Sequence, residues 1–302
     1  MRILVTGGVG FVGTNLIKRL LKDSHEVISV DNYSTGKKEN EQEGCEYYHR
    51  DLTDSKWWNL SDICMCEVTC DCQIEKVDTI FHMAALARIQ PSIKNPTRSI
   101  QNNFDSTLNI LEWARKDNIP VVFAGSSSFH HGLWGSPYAW SKHAGEQLCK
   151  LYSNIYDLST IICRFYNVYG PHQLESGAYA TVLGIFEKQY REGKALTVTG
   201  DGQQRRDFTH IEDIVDGLIK CMEAMHGAVD MRYAGEIFEL GRGVNHSINE
   251  ITEMFGQTEV EYIPARPGEY DVTLADYSYA KDMLNWKPTR NLEDYINKVV
   301  SK

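Results

Sequence analysis

Along the first half of the chain, short apolar runs take turns with amphipathic segments, a pattern that predicts alternating strands and helices. Short apolar runs rich in β-branched residues predict strands. They occur at residues 2–6, 26–31, 45–49, 78–85, 119–124 and 160–165. Amphipathic spacing predicts helices between them, at 14–22, at 102–116 and around 138–142. This order of elements predicts an α/β fold built on a doubly wound parallel sheet.

The clean alternation fades after residues 167–171, where the chain reads N-V-Y-G-P. Glycine and tyrosine become frequent over residues 170–205, which is a change of composition. We therefore predict two parts, a sheet domain over residues 1–168 and a smaller mixed α/β lobe over residues 169–302. Segments near 207–240 are expected to return to the sheet domain.

Charge, length and cysteine content narrow the functional class. The chain has 302 residues and a formal net charge of −10, which argues against nucleic acid and anionic membranes as main partners. The first apolar run ends at Gly7-Gly8, too early for a signal peptide, and no run approaches the roughly 18 apolar residues of a membrane helix. We therefore expect a cytoplasmic protein whose eight cysteines stay reduced.

The first strand runs directly into a glycine-rich loop that suits a phosphate group. Gly7, Gly10 and Gly13 fall between strand and helix, where they permit a tight turn and close backbone approach at a helix N-terminus. Asp31 ends the second strand, 18 residues after Gly13. Its carboxylate suits the ribose 2′-hydroxyl of NAD and would repel the 2′-phosphate of NADP. Together these features predict a Rossmann-type NAD site.

Two further strand ends point to the same edge of the sheet. Asp51 and Leu52 follow the third strand, where they either reach an adenine edge or simply end the strand. Ala84 and Ala85 follow the fourth strand, and their small side chains would let a flat cofactor lie close to the backbone. We interpret His82, in the same strand, as a hydrogen-bonded strand-end histidine and not as a catalyst.

A phenol and an ammonium lie four residues apart in the segment 136–142, S-P-Y-A-W-S-K. On a helix, Tyr138 and Lys142 share one face. The serines at 126–128 follow the fifth strand, so their hydroxyls are expected to meet that face. These groups form a candidate proton-transfer set, although a Tyr-x-x-x-Lys spacing is also common in helices without catalytic function.

Four cysteines cluster at Cys64, Cys66, Cys70 and Cys72. With a turn between the two pairs, the four sulfurs could hold zinc, but paired C-x-C spacing is unusual for a zinc site. We interpret them as reduced thiols in a surface insertion and predict no metal site.

The ordered motifs of the chain resemble those of the extended short-chain dehydrogenase/reductase family. Within it the match is to the NAD-dependent nucleotide-sugar epimerases, of which UDP-glucose 4-epimerase is the best-known type. The motifs are G-G-V-G-F-V-G at 7–13, D-N-Y-S-T-G at 31–36, D-L at 51–52, H-M-A-A at 82–85, S-S-S at 126–128, Y-A-W-S-K at 138–142, R-F-Y-N-V-Y-G-P at 164–171, G-D-G-Q-Q-R-R-D-F at 200–208, R-P-G-E at 266–269 and L-N-W-K-P at 284–288. The resemblance also implies a homodimer paired through helices near 101–116 and 138–154.

The resemblance implies a role for each member of the candidate set. Tyr138 is the acid/base, Lys142 holds the nicotinamide ribose and lowers the pKa of the phenol, and Ser126 hydrogen-bonds the reacting sugar oxygen. An unperturbed phenol has a pKa near ~10, so a base at neutral pH needs a shift of roughly three units. The implied NAD contacts are Gly7, Gly10, Phe11, Val12, Gly13, Asp31, Asn32, Thr35, Gly36, Asp51, Leu52, Met83, Ala84, Ala85, Asn103, Tyr138, Lys142 and Phe165.

The implied substrate is a UDP-sugar. The matching positions are Asn167, Arg206 and Arg266 at the diphosphate, Thr197 near the uracil, Glu269 at the nucleotide ribose and Ser128 at the sugar. Thr273 matches a position that is often bulky in epimerases restricted to plain hexoses. Its small side chain therefore implies tolerance of UDP-N-acetylhexosamines as well as UDP-hexoses.

The serine cluster helps to select a reaction within the family. The dehydratases and decarboxylases of the family carry acidic residues in this cluster, and the epimerase/reductases that invert next to the keto group carry a cysteine. Residues 126–128 are all serine. What remains is removal and return of a hydride at C4 of the sugar, which is 4-epimerisation.

One loop departs from the family pattern. Residues 129–132, F-H-H-G, replace the usual V-Y-G, and only 11 residues separate Ser126 from Tyr138. Because this loop borders the sugar, a UDP-uronate epimerase or a nucleotide-sugar 4-reductase remains an alternative. His130 and His131 are either ligands of an acidic sugar or ordinary loop residues, and we prefer the second interpretation. A non-catalytic NAD-binding sensor is the alternative outside enzymes.

Overall fold

The structure is a computed structural model that describes residues 1–59, 73–227, 233–256 and 259–301. Its strands are β1 (Arg2–Thr6), β2 (Glu26–Asp31), β3 (Cys45–His49), β4 (Thr79–His82), β5 (Val121–Ser126), β6 (Thr160–Phe165), β7 (Val168–Tyr169), β8 (Leu196–Thr199), β9 (Arg205–Asp207), β10 (Thr209–His210), β11 (Glu236–Leu240), β12 (Asn245–Ser247) and β13 (Val260–Ile263). Its α-helices are α1 (Phe11–Lys22), α2 (Ile89–Lys94), α3 (Pro96–Asp117), α4 (Pro137–Tyr156), α5 (Val182–Arg191), α6 (Ile211–Gly227), α7 (Ile248–Met254), α8 (Ser278–Leu284) and α9 (Leu292–Val300). No helix in the described ranges is long and apolar enough to cross a membrane.

Seven of the described strands form one parallel sheet, in the order β11-β6-β5-β4-β1-β2-β3. Strand β1 pairs with β2 on one side and with β4 on the other, so the strand order reverses at β1 as in a doubly wound sheet. The predicted α/β fold with a Rossmann-type sheet is confirmed. The edge strand β11 comes from the second half of the chain and pairs with β6.

The central sheet is buried on both faces. Alternate residues of β1 point to opposite layers: Val5 packs with α1 and α6, whereas Leu4 packs with α3 and α4. Both side chains are fully buried. Burial on two faces explains why the strands appear in the sequence as continuous apolar runs and not as an alternation of apolar and polar residues.

Two helices begin before the starts that apolar spacing predicted. Helix α1 begins at Phe11, directly after Gly10, whose backbone is extended with ψ 174°. Helix α3 begins at Pro96, because the side chain of Asn95 accepts the backbone N–H of Arg98 and caps the first turn. The first turn of α1 lies within the glycine loop and that of α3, residues 96–99, is proline followed by polar residues, so apolar periodicity does not detect these starts.

The second half of the chain has an apolar core of its own. Short strand pairs surround it, β7 with β10, β9 with β12 and β8 with β13. Its largest buried members include Phe186, Phe208 and Phe255, and helix α9 adds Ile296. This core supports the residues that face the sheet across the cavity described below.

The four clustered cysteines lie outside the described residues. The choice between a zinc site and reduced thiols at Cys64, Cys66, Cys70 and Cys72 therefore stays a prediction. The cysteines within the described part, Cys45, Cys149, Cys163 and Cys221, are free thiols.

Asp207 joins three segments of the second half through one buried carboxylate. Its oxygens accept the backbone N–H groups of Arg242 at 2.8 Å, Gly243 at 2.8 Å and Ala275 at 3.0 Å. Burial raises the pKa of the Asp207 carboxyl, and these hydrogen bonds oppose that rise. The backbone N–H of Asp207 donates in turn to the Thr273 hydroxyl at 3.0 Å. One side chain thus fixes the loop that carries Thr273.

We expect the change Asp207→Ala to lower the free energy of unfolding by about 3 kcal/mol, because three buried backbone N–H groups lose their acceptor. Chemical denaturation followed by circular dichroism measures this change. Asp282→Ala, at an exposed position of α8, is the matched control and should stay within about 0.5 kcal/mol of the parent protein. Equal stability of the two variants would contradict the role given to Asp207.

Candidate active site

A cavity of about 520 Å³ opens at the carboxyl ends of the central strands. The glycine loop after β1 forms one end, and residues of the second half form the opposite wall. Most residues predicted for the site line it, namely Gly7, Gly10, Phe11, Val12, Gly13, Asp31, Asn32, Thr35, Asp51, Leu52, Met83, Ala84, Ala85, Ser126, Ser128, Tyr138, Phe165, Asn167, Thr197, Arg206, Arg266, Glu269 and Thr273. Gly36, Asn103 and Lys142 lie behind this lining and are considered separately.

The glycine loop has no space for side chains at its tightest points. Gly7 has a positive φ of 70°, and a Cβ there would lie 2.9 Å from the backbone of Ala84. A Cβ at Gly13 would lie 2.2 Å from the carbonyl oxygen of Gly7. Gly36 approaches the loop from outside, since a Cβ there would stand 2.6 Å from the side chain of Val9. Glycine is therefore required here by backbone packing.

Two carboxylates mark the end of the cavity next to β2 and β3. Asp31 accepts the backbone N–H groups of Val9 at 3.1 Å and Tyr33 at 2.8 Å. Burial raises the pKa of the Asp31 carboxyl, and the two hydrogen bonds oppose the rise. Asp51 accepts the Asn32 amide at 3.1 Å. Burial acts to raise its pKa as well, but hydrogen bonds, chiefly from Thr53, lower it below the usual value.

His82 is held as a neutral residue inside the sheet. Its ring nitrogens contact the hydroxyls of Thr6 at 2.8 Å and Thr107 at 3.1 Å, and it is 1% exposed. Burial lowers the pKa of His82 to about 3. A histidine with both nitrogens occupied and no access to the cavity supports the loop after β4 and takes no part in proton transfer.

The structure brings three of the predicted hydroxyls together. Strand β5 spans Val121–Ser126 rather than residues 119–124, so Ser126 is the last residue of the strand. The Ser128 hydroxyl donates to the Ser126 hydroxyl at 2.9 Å, and the Tyr138 phenol donates to it at 3.4 Å. Ser136 caps α4 by accepting the Ala139 N–H, which fixes the turn that presents Tyr138.

Lys142 lies on the same helix as Tyr138 but does not reach the cavity. Its Nζ stands 4.3 Å from the ring centroid of Phe123, and the residue is 4% exposed. Burial lowers the pKa of Lys142 to about 8. Burial raises the pKa of the Tyr138 phenol, and the groups that oppose this rise are Ser126 and the cation of Arg88. The charge of Arg88 thus acts on the Tyr138 phenol in this structure, and the role that the resemblance gives to Lys142 stays a prediction.

Asn103 does not line the cavity but lies behind its wall. Its side-chain oxygen accepts the Leu86 N–H at 2.8 Å, and its amide donates to the Ser141 hydroxyl at 3.0 Å. It therefore ties the loop after β4 to α4, one residue before Lys142.

The opposite wall carries the groups predicted for the substrate. Asn167, with a φ of 23°, donates its amide to the Asp207 carbonyl at 2.9 Å and to the Thr273 hydroxyl at 3.1 Å. Burial lowers the pKa of the Arg206 guanidinium, an effect that the charge of Glu269 opposes. The Thr197 hydroxyl accepts the Gln189 amide at 2.9 Å. Arg266 also lines this wall.

The short loop after the serines is anchored to the sheet. The guanidinium carbon of Arg164 lies 3.7 Å from the centroid of the Phe129 ring, and Arg164 forms a buried ion pair with Glu146 at 2.6 Å. The His130 ring contacts the carboxylate of Glu239, which also accepts the Tyr166 phenol at 2.8 Å. His130 thus points to β11 and does not line the cavity, whereas the side chain of His131 lies outside the described part.

Several residues of the cavity wall were not predicted from the sequence, among them Arg88 and Tyr179. The Arg88 Nε donates to the carbonyl oxygen of Tyr179 at 3.1 Å, which links the loop after β4 to the second half. A cation close behind the small residues Ala84 and Ala85, with only Leu86 and Ala87 between, was the available signal. Nothing in its spacing relates it to Tyr138, so periodicity alone does not find it.

In protein stripped of nucleotide, we expect Lys142→Met to remove a pH dependence of stability. Because burial sets the pKa of Lys142 near 8, below the value of about 10.5 in an unfolded chain, the unfolded state binds more protons between these pH values. The free energy of unfolding of the parent should therefore rise by about 2 kcal/mol relative to the variant from about pH 8 to about pH 9.5. Parallel pH profiles from chemical denaturation would show that Lys142 titrates normally.

Comparison with known proteins places this site in a family. Residues 3–241 match the NAD dependent epimerase/dehydratase family. The UDP-glucose 4-epimerase of Mycolicibacterium smegmatis is 31% identical over 319 residues, which cover 99% of this chain and 97% of that protein. The UDP-glucuronate 4-epimerase of Thermodesulfobacterium geofontis is 30% identical over 331 residues, covering 99% and 94%.

The fold agrees with these matches over its whole length. A crystal structure of a UDP-glucose 4-epimerase with UDP-glucose from Thermotoga maritima superposes with a TM-score of 0.87 at 27% identity, covering 100% of this chain and 98% of that one. The glycine loop, the acid at the end of β2 and the hydroxyl set of Ser126, Ser128 and Tyr138 are thus found in a chain that belongs to the NAD-dependent epimerase/dehydratase family of enzymes.

Proposed function

We propose that the protein is an NAD-dependent nucleotide-sugar 4-epimerase that acts on UDP-hexoses. The observation that carries the proposal is the hydrogen-bonded set of Ser126, Ser128 and Tyr138 on the cavity wall. The serine cluster contains no acid or thiol. Such a set supports exchange of one proton and one hydride at a sugar carbon, without the second acid or base that an elimination needs. The family match supports the same class of reaction.

The residues at the glycine end of the cavity fit a dinucleotide. The loop at Gly7 and Gly13 excludes side chains, and Asp31 stands at the end of β2 where a ribose hydroxyl would bind. NAD supplies the hydride acceptor and donor of the reaction when it is bound. Because the hydride returns to the sugar, the cofactor can stay in place between turnovers.

Tyr138 is proposed to take the proton of the 4-hydroxyl and later to return it. Burial raises the pKa of its phenol, so positive charge must oppose burial before the phenol can act near neutral pH. The cation of Arg88 acts in this direction already, and Ser126 holds the phenol by a hydrogen bond. Lys142 is proposed to move from Phe123 to the nicotinamide ribose when the cofactor binds.

The substrate wall is proposed to hold the nucleotide firmly and the sugar loosely. Arg206 and Arg266 supply charge for a diphosphate, with Asn167 beside them. The 4-keto sugar turns between the two hydride transfers, which requires few fixed contacts to its ring. Thr273 occupies little space and is itself held by Asn167, which supports acceptance of UDP-N-acetylhexosamines.

We also propose the division into lobes that the sequence suggested. Residues 1–168, with the segments near 207–240 that return to the sheet, hold the cofactor, and residues 169–302 hold the nucleotide of the substrate. A UDP-uronate epimerase on the same scaffold is the second candidate, favoured by the extra cation Arg88 on the cavity wall.

We expect purified protein to convert UDP-glucose to UDP-galactose with no added cofactor, and Tyr138→Phe to lower kcat by roughly 10²- to 10⁴-fold because the proton acceptor is lost. Product separation by chromatography measures this, with UDP-N-acetylglucosamine tested in parallel. Tyr262→Phe, at an exposed tyrosine, is the control and should keep full activity.

Three outcomes of this experiment would count against the proposal. Full activity of Tyr138→Phe would remove the proposed acid/base. Net consumption of NADH or NADPH in each turnover would indicate a reductase. Turnover of UDP-glucose without any of UDP-N-acetylglucosamine would contradict the interpretation of Thr273.

A homodimer paired through α3 and α4 is proposed as the assembly. Helix α4 carries three large apolar side chains at its exposed end, Leu151, Ile155 and Tyr156, of which Ile155 is 62% exposed. Apolar side chains in such a cluster are typical of a surface that a partner covers. A second copy of the same two helices would bury them by two-fold pairing.

We expect Ile155→Glu to convert the dimer into a monomer, because a charge would be buried at the paired helices. Light scattering after size exclusion chromatography gives the mass. Val244→Glu, at an exposed valine outside these helices, should remain dimeric. A parent protein that is already monomeric would overturn the assembly proposed here.

A further inference from the structure

The first turn of α4 is held by two serines that come from different parts of the chain. The first N–H groups of a helix have no partner within the helix and need acceptors from elsewhere. Ser136, directly before the helix, accepts the backbone N–H of Ala139 at 3.1 Å. Ser92, which lies in α2, accepts the backbone N–H of Tyr138 at 3.2 Å. A local cap is common at helix starts, whereas the acceptor from α2 fixes Tyr138 relative to a second helix.

The hydroxyl of Ser92 is buried and has one orientation. Ser92 is 1% exposed. Its hydroxyl donates to the carbonyl oxygen of Ile89 at 2.7 Å, three residues earlier in the same helix. Because the proton is used in this bond, the lone pairs of the oxygen are left for the Tyr138 N–H. The acceptor for Tyr138 is therefore a fixed point on α2.

Helix α2 is itself held by a segment of the second half of the chain. The side-chain amide of Gln90 donates to the carbonyl oxygen of Pro267 at 2.7 Å. Gly268 has a positive φ of 75°, and a Cβ there would lie 3.2 Å from the Ile89 side chain and 3.0 Å from the Gly135 carbonyl oxygen. The space between α2, this segment and the turn before α4 is thus closely filled. Close packing of this kind leaves α2 little freedom to follow a shift of α4.

The phenol of Tyr138 lies at the end of a long side chain, so a small change at its backbone moves the hydroxyl. The phenol donates to the Ser126 hydroxyl at 3.4 Å, which is already long for a bond between two hydroxyl groups. A displacement of about 1 Å at a reacting group can cost roughly 10²-fold in rate. Proton transfer at Tyr138 therefore depends on what holds its backbone.

We propose that Ser92 is a positioning residue for the acid/base, because by accepting the Tyr138 N–H it sets the distance between the phenol and Ser126. The proposal rests on the proposed function, which takes Tyr138 as the proton acceptor. Ser92 is absent from the cavity wall in the described part of the chain. Its effect therefore falls on the rate of the reaction and not on the binding of the substrate.

The test measures the kinetics of Ser92→Ala as the holoenzyme with UDP-glucose. We expect kcat and kcat/KM to fall by a similar factor of roughly 10 to 100, with KM changed by less than about threefold, because the lost contact serves the transition state. Deuterium at C4 of UDP-glucose should slow the variant more than the parent, because hydride transfer becomes the slow step. Ser92→Cys keeps the side-chain volume with a weaker acceptor, so it should show the same type of loss even if Ser92→Ala does not fold.

The matched control is Ser153→Ala, at the other end of α4. Ser153 is also buried, and its hydroxyl donates to the Leu158 carbonyl oxygen at 2.8 Å. Both alanine variants lose a buried hydroxyl, so both should unfold at a lower denaturant concentration than the parent. Only Ser92→Ala should lose kcat, which separates the positioning of Tyr138 from a general loss of stability.

Three results would overturn the proposal. They are an unchanged kcat in folded Ser92→Ala or Ser92→Cys, a loss carried by KM, and an isotope effect no larger than that of the parent. If the parent converts no UDP-sugar, the proposed function fails. Hydrogen exchange at the Tyr138 amide, followed by mass spectrometry, then tests the contact itself. Protection that the parent has and Ser92→Ala lacks would support the contact, and equal exchange would refute it.

Discussion

Close packing of two backbone loops is the constraint on which the site depends. The loop after β1 and the loop after β4 meet at Gly7, where any side chain would collide with the backbone of Ala84. The Thr6 hydroxyl joins the loops, since it accepts the Ala84 N–H at 3.1 Å and also contacts His82. The contact keeps the carboxyl ends of β1 and β4 together and thereby sets the width of the crevice in which a dinucleotide lies.

The cavity wall opposite the central sheet is held by buried polar groups instead of by a sheet. Asp207 gathers three backbone N–H groups, and its backbone reaches Asn167 and Thr273 by hydrogen bonds. Thr273 therefore both lines the cavity and belongs to the network that holds its own loop. A replacement of Thr273 that removes its hydroxyl also leaves the Asp207 N–H without its acceptor.

The sequence predicted those features whose signal is local. Continuous apolar runs indicated the strands. Gly7, Gly13 and Asp31 indicated the cofactor end of the cavity, because the backbone of the glycine loop permits few other residue types. The helix starts at Phe11 and Pro96 were missed, since α1 begins within the glycine loop directly after Gly10 and α3 is capped by the polar residue Asn95, and neither signal is periodic. The position of the Lys142 side chain depends on Phe123, which lies in a different element. The position of Arg88 depends on the contact between α2 and α4 and on its own hydrogen bond to Tyr179. Such relations arise only after folding.

The short loop after the serines is held to the sheet by its side chains, which is unusual for a surface loop. Most surface loops accept insertions because few of their side chains are committed. Here Phe129 packs on Arg164 and His130 binds Glu239, so two successive residues are fixed to the sheet. An insertion would pull at least one of them from its partner and would move Ser128 with it. Single replacements on the facing wall leave these two contacts intact, whereas a change in the length of this loop disturbs them.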